Sequence, residues 1–246
     1  MKSSHQIFHL GNLLFCRAFW LYRPLYYCFK YISDRHERRL IRQMLAPGMT
    51  VVDVGSNIGI HARLLANLVG TSGRVYAFEP HPDNYHRLQT ATAETPQVAT
   101  VQAAISDNSG RLPLYVSESL NVDHRTYESG EKRPAIDVPC HRLDDYLPSD
   151  MSVDFIKIDV QGAEWSALRG MTEVLDRSRG VRLILEYWPW ALREATGDPL
   201  KPIHFLQEKG FRLEIIGGGN RIEFSPEAIV EVGTNYCNLY AYRPAG

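Results

Sequence analysis

Asp53-Val54-Gly55-Ser56-Asn57-Ile58-Gly59 places an acid at the end of an apolar run and two glycines in the turn that follows. The run before it, Val51 to Val54, is β-branched. After it, His61, Leu64, Leu65, Leu68 and Val69 keep the i, i+3, i+4 spacing of a helix with one buried face. Strand, tight turn and helix are therefore expected, with glycines that let backbone approach a ligand and a helix N-terminus that suits an anionic group. Arg74-Val75-Tyr76-Ala77-Phe78 reads as a second strand, closed by Glu79 and Pro80, where an acid is placed to hold a ribose hydroxyl pair.

The dinucleotide fingerprint needs Gly-x-Gly-x-x-Gly after the first strand, whereas the spacing here is Gly55-x-x-x-Gly59. Asp53 would repel a pyrophosphate and attract an ammonium. S-adenosylmethionine carries an ammonium, a carboxylate and a sulfonium and no phosphate, so it is the ligand these residues favour. Asp53, Gly55, Ser56, Asn57, Gly59, Glu79 and Pro80 are its expected contacts. Ala103-Ala104-Ile105 ends the expected third strand, Val98 to Ile105; small residues at Ala104 either leave room for adenine or close a packed strand end.

Further along, Val153 to Ile158 ends in Asp159, and Val160-Gln161-Gly162-Ala163-Glu164 opens a helix with Trp165, Leu168, Met171 and Leu175 on its buried side. Ligands of open parallel sheets bind beyond the carboxyl ends of the strands, so Asp159 is expected in the same crevice as Asp53 and Glu79. An ion pair with Lys157 is its structural alternative. Glu186 lies near the tip of a fifth strand, Val181 to Tyr187. Asn121-Val122-Asp123-His124-Arg125-Thr126 sits in a polar stretch between two short strands and is expected over the pocket mouth. Asn121, Asp123, Arg125 and Glu186 would orient a hydroxylated acceptor, and Asp159 or His124 would take its proton. A divalent ion shared by Asp159 and Glu186 is the competing way to activate the hydroxyl.

These side chains need a scaffold, and the alternation of strand and helix supplies it: a doubly wound, mostly parallel α/β sheet of seven strands, the last antiparallel. Pro199 to Lys209 is a further helix, Phe211 to Ile216 and Tyr236 to Tyr242 the last strands, and Gly217 to Asn220 a link. The 246 residues, 44% hydrophobic and 22% charged, suffice for one domain, placed at 47–246. Residues 1–46 form a helical arm, broken at Pro24, in which Asp34 and Glu37 have the spacing of a capping box. The arm holds eight basic residues against two acidic, +6, leaving the body 19 against 26, −7. An acidic body argues against a nucleic-acid partner.

Nine of the 26 aromatic residues fall within the first 31 positions, among cations, and no apolar run reaches the length of a membrane span. The arm therefore covers the body or a second copy of the chain, or residues 1–33 rest on a membrane surface. The cysteines, Cys16, Cys28, Cys140 and Cys237, have neither zinc nor paired spacing, and with no export signal the expected compartment is the cytoplasm.

In order and spacing, Asp53 to Gly59, Val75 to Pro80 and Ile156 to Glu164 resemble the hallmark blocks of the FkbM family of S-adenosylmethionine-dependent methyltransferases. The resemblance covers roughly residues 35–216. It implies a class I methyltransferase (Rossmann-like) fold and O-methylation of a sugar, glycolipid or natural product. By position, Asp53, Gly55, Asn57 and Gly59 would line the amino-acid end of the cofactor, Glu79 the ribose, and Asp159 the transferable methyl. Ser56 stands where the family usually has Ala, and Gln161 where it has Glu, removing a carboxylate. A nicotinamide oxidoreductase lacks its fingerprint here. The non-enzyme rival is an inactive module of the same fold, docked through the arm.

Overall fold

A computed structural model describes residues 14–15, 17–117, 122–130, 132–217, 220–226 and 236–244. Two helices, α1 (Phe19–Ser33) and α2 (Arg35–Met44), precede the alternating body. There follow β1 (Thr50–Val54), α3 (Ile60–Val69), β2 (Arg74–Phe78), α4 (Pro82–Thr92), β3 (Val98–Val101), β4 (Ala104–Ile105), β5 (Gly110–Tyr115) and β6 (Ala135–His141). The chain continues through α5 (Leu143–Tyr146), β7 (Phe155–Ile158), α6 (Glu164–Arg169), α7 (Thr172–Arg177), β8 (Arg182–Tyr187), α8 (Pro189–Thr196) and α9 (Lys201–Glu208). The last strands are β9 (Arg212–Gly217), β10 (Asn220–Glu223) and β11 (Cys237–Tyr242).

The main sheet runs β3-β2-β1-β7-β8-β11-β9-β10. Pairings from β3 to β8 are parallel, and β11 is antiparallel to both β8 and β9. The strand order reverses between β1 and β7, so a crevice opens there beyond Val54 and Ile158, which face each other in register. Strands β1 and β7 are sealed by helices on both faces, which accounts for their unbroken apolar runs: Val51, Val52, Phe155, Ile156 and Ile158 are fully buried.

The sheet has eight strands rather than the expected seven, because Asn220 to Glu223 pairs back on β9 as an antiparallel strand; of the expected link Gly217 to Asn220, Gly217 ends β9 and Asn220 begins β10. The expected third strand stops at Val101. Ala104–Ile105 leaves for a separate sheet, β4-β6-β5, where Ala104 pairs with Cys140 and is buried, so it does not end the third strand. The helix expected through Trp165 and Leu175 is two short ones, because the Gly170 carbonyl turns aside to accept the Asp144 N–H (3.0 Å).

In the arm, α1 runs through Pro24 unbroken. Pro24 and Trp20 are both solvent-exposed, so the carbonyl that loses its partner there can be hydrated. No capping box forms: neither Asp34 nor Glu37 caps α2. Tyr22 and Phe15 pack on Ile58 and Ile60, and Leu40, Ile41 and Met44 share a core with Val51, Leu65, Ile184 and Tyr240. Packing is thus continuous across residue 46.

Candidate functional site

At the tip of β1 the Asp53 carboxylate is fully buried, and neither of its oxygens accepts a hydrogen bond among the described residues. Burial raises its pKa, against the pull of Lys157. The turn is held from below: the Gly55 and Ser56 N–H groups both donate to the Phe78 carbonyl (3.0 and 2.9 Å), and Ser56 Oγ donates to the Asp53 carbonyl (3.0 Å). The glycines serve the protein's own packing. A Cβ on Gly55, at φ +84°, would lie 2.0 Å from the Asp159 carbonyl oxygen, and one on Gly59 would meet Leu88 and Ala91 on α4. Close packing of β1, the β7 loop and two helices is by itself a reason for glycine at both positions.

Glu79 locks this turn to the second strand. Its Oε2 accepts from the Asn57 N–H (2.8 Å) and its Oε1 from the His81 N–H (2.9 Å), while burial raises its pKa to about 7. Asn57 takes a positive φ of 48° to present that N–H, and Pro80 steers the chain away at half burial.

Beyond β7 and β8 lies a chain of charges. Lys157 Nζ donates to Asp159 Oδ2 (3.1 Å), and Gln161 Nε2 bridges Asp159 Oδ1 (2.9 Å) and Glu186 Oε2 (2.8 Å). Burial pushes the Asp159 carboxyl up, but the charges of Lys157 and Lys30 and the hydrogen bonds from Lys157 and Gln161 together outweigh it and hold the pKa below the usual range. Glu186 shifts the other way: burial, then the Asp159 charge, raise it well above the carboxylate range. Similar carboxylates thus have opposite protonation preferences, the pattern that separates acid from base in active sites. The place where a metal shared by Asp159 and Glu186 would sit is taken by the Gln161 amide. The loop carrying Gln161 is itself held by Glu164, which accepts from the Val160 and Gly162 N–H groups.

The polar stretch over the mouth is only partly available for substrate. Asn121 lies outside the described residues. Asp123 is committed to a bidentate pair with Arg125 (2.8 and 3.0 Å) and to Arg133 (2.6 Å). Arg125 is buried against the rings of Trp188 and Trp190, and its Nη1 donates to no partner among the described residues and stays available as a donor. Tyr127 donates to the Gln161 carbonyl (3.2 Å) and so docks the stretch onto the β7 loop. His124 stacks on His81 at 4.2 Å, and its Nδ1 accepts the Ser117 N–H (3.1 Å). Burial, with His81 and Arg133 adding repulsion, lowers its pKa to about 3, so the imidazole is neutral and a weak proton acceptor.

Sequence reasoning missed the arm's contribution. Half-buried Tyr26 and Lys30 from α1 and buried Glu37 from α2 lie within electrostatic reach of Asp159 or Lys157. His61, read as part of an apolar helix face, lies 3.4 Å from Glu37 and 3.7 Å from Asp34. The available signal was the spacing of Lys30, Asp34 and Glu37, which puts them on one helical face.

The architecture recurs in solved methyltransferases. An rRNA methylase from Streptococcus thermophilus superposes with a TM-score of 0.51 at 14% identity, covering 87% of this chain and 96% of that one. An S-adenosylmethionine-dependent O-methyltransferase from Thermotoga maritima gives 0.50 at 15% identity, covering 85% and 65%. The fold and its crevice define a class I S-adenosylmethionine-dependent methyltransferase. The Methyltransferase FkbM domain profile matches residues 53–213, and the chain belongs to that family. Among curated proteins, the hexuronic acid methyltransferase AglP of Haloferax volcanii is 30% identical over 148 residues, 57% of this chain and 59% of that protein. The 2-O-methyltransferase NoeI of Sinorhizobium fredii is 28% identical over 165 residues, 60% and 67% of the two chains.

Proposed function

We propose that this chain methylates a hydroxyl of a saccharide or sugar-bearing small molecule. The observation that carries the proposal is the Lys157–Asp159–Gln161–Glu186 chain at the head of the sheet, beside the partnerless Asp53 carboxylate. S-adenosylmethionine, when bound, supplies an electrophilic methyl on a cationic sulfur. A buried carboxylate lacking a donor fits its ammonium, and the helix α3 N-terminus and the 55–59 turn suit its carboxylate. Glu79 already accepts from Asn57, His81 and the Asn84 side chain, and a ribose hydroxyl would use its remaining acceptor capacity.

Asp159, kept ionised by Lys157, places negative charge near the cationic sulfur and stays unprotonated there. Glu186, once ionised above its raised pKa, is the stronger base and would accept the hydroxyl proton as oxygen attacks and the carbon–sulfur bond breaks, the electron pair leaving with sulfur. Gln161, where the family resemblance implies Glu, couples the two carboxylates without adding a third negative charge. Arg125 Nη1 donates to the acceptor. AglP and NoeI, named for methylation of a hexuronic acid and at a 2-O position, support the saccharide class. The test is transfer of labelled methyl to a panel of uronic acids, neutral sugars and glycolipids. Glu186→Gln is expected to lose about 10²–10⁴-fold in kcat while His124→Ala keeps most activity. Wild-type turnover by Glu186→Gln refutes the assignment.

The outer face of α1 supports a second reading, peripheral contact with a lipid surface. Trp20, Leu25 and Phe29 are 75%, 63% and 62% exposed on that helix, with Arg17 and Arg23 beside them. No described helix is long and apolar enough to cross a membrane.

A further inference from the structure

Asp34 at the junction of α1 and α2, Glu37 in the first turn of α2 and His61 at the start of α3 point one atom each at a common centre. Asp34 Oδ2, Glu37 Oε1 and His61 Nε2 all lie within 4.8 Å of one another. Glu37 Oε1 and His61 Nε2 make no hydrogen bond among the described residues, and Asp34 Oδ2 is held by the Lys30 ammonium at 2.8 Å, which a bound cation would displace. The side chains are 10%, 5% and 8% exposed, so water does not replace the missing partners freely.

Each carboxylate is oriented by its other oxygen. Asp34 Oδ1 accepts from Ser33 Oγ (2.6 Å) and Glu37 Oε2 from Asn238 Nδ2 (2.8 Å), leaving Oδ2 and Oε1 turned toward the imidazole. Such outer contacts are what fix metal ligands in position. The separations also fit. Ligand atoms about 2.1 Å from a tetrahedral ion stand about 3.4 Å apart. His61 Nε2 is 3.4 Å from Glu37 Oε1 and 3.7 Å from Asp34 Oδ2.

The surroundings are acidic: Asp34, Glu37, Asp53, Asp159 and Glu186 interact electrostatically across this region, with Lys30, Arg38 and Lys157 as the cations that face them. The ligand geometry stands independently of the donor proposed above.

We propose that Asp34, Glu37 and His61 form a divalent transition-metal site, with one nitrogen and two oxygen ligands and a fourth position open. One imidazole and two carboxylates favour zinc or manganese over magnesium. The site joins α1, α2 and α3, and so pins the arm beside the reaction crevice. Residues that look like a helix cap in the sequence are freed for this by the near-continuous turn at Asp34, where the backbone N–H bonds back to Lys30 (3.0 Å).

The test titrates Zn²⁺ into the chelator-stripped full chain by calorimetry, in a Cys28→Ser background because Cys28 is an exposed thiol. Mg²⁺ is the control. One Zn²⁺ per chain is expected, with His61→Ala and Glu37→Gln each at least about 10-fold weaker, since even outer-shell losses cost that much. X-ray absorption should show nitrogen and oxygen ligands and no sulfur, a readout independent of how the variants fold. Absent stoichiometric uptake, sulfur in the shell, or unchanged binding by His61→Ala overturns the site. S-adenosylhomocysteine binding is measured on the same samples: its retention without zinc uptake rejects the metal site and spares the donor site, and the reverse result does the opposite.

Discussion

Asp53→Asn should make the protein more stable and a worse binder at once. The Asp53 carboxylate is fully buried with no hydrogen bond of good geometry, and burial outweighs the help it draws from Lys157 and the Ser56 hydroxyl, so in the free protein it costs stability. An unsatisfied buried polar group costs about 1–3 kcal/mol. The amide brings donors that also need partners and gives up the attraction to Lys157, which trims the expected gain to about 1 kcal/mol, or about 2–4 °C in Tm for a chain of this size. The pH dependence carries a sign. Burial raises the folded-state pKa above the usual 3.8, so ionised Asp53 destabilises the fold at high pH. That penalty shrinks as pH falls through the raised folded value and is gone below the unfolded one. The variant's advantage should thus be full near pH 8 and absent near pH 4.

Binding should move the opposite way. A hydrogen bond to a charged group is worth about 1.5–3 kcal/mol, so S-adenosylhomocysteine should bind about 10–150-fold more weakly. Calorimetry and thermal denaturation on one preparation read both effects. A variant that is less stable at pH 8 and binds as tightly as the wild type would refute the reasoning, because Asp53 would then be a structural acid with hidden partners.

Gly55→Ala combines a positive φ with a Cβ 2.0 Å from a backbone oxygen that cannot swing aside, so a loss of about 3 kcal/mol or more in denaturant unfolding is expected. Gly59→Ala, at a similar φ but meeting the flexible end of Leu88, should cost about 1–2 kcal/mol, so that equal losses would contradict the clash. Glu79 has a pKa raised to about 7 in the free protein, and hydroxyl donors favour its ionised form. S-adenosylhomocysteine affinity should therefore fall as pH drops from 8 to 6, with proton release on binding seen as buffer-dependent heat. In flotation assays, the full chain should rise with anionic vesicles and less so after Trp20→Ala with Phe29→Ala; pelleting of the full chain removes the lipid reading, leaving a second copy of the chain or another protein to cover α1.

The residues Val51 to Gly59, Val75 to Glu79 and Ile156 to Asp159 declared their strands and turns because both faces of a parallel sheet are buried, so that apolar runs must end where the crevice begins. Glu79 beside the glycine turn follows from the same register. Asp34 and Glu37 did not declare themselves, since capping and ligation use the same residue types at the same spacing. Ala104 was misplaced for a comparable reason: a strand that changes sheet at Gln102 reads in one dimension like a strand that continues. The Asn220 strand hid behind its glycines.

Local pattern alone determined the layered fold, the donor-binding turn and the acids at the strand tips, because each depends on neighbours within a few residues. Which carboxylate keeps its proton was decided only by tertiary packing. Asp159 has Lys157 beside it, Glu186 has Asp159 across the Gln161 amide, and His124 is stacked in a dry corner against His81. Burial and the charge of groups far away in the chain set those preferences, and neither quantity is written in the order of residues.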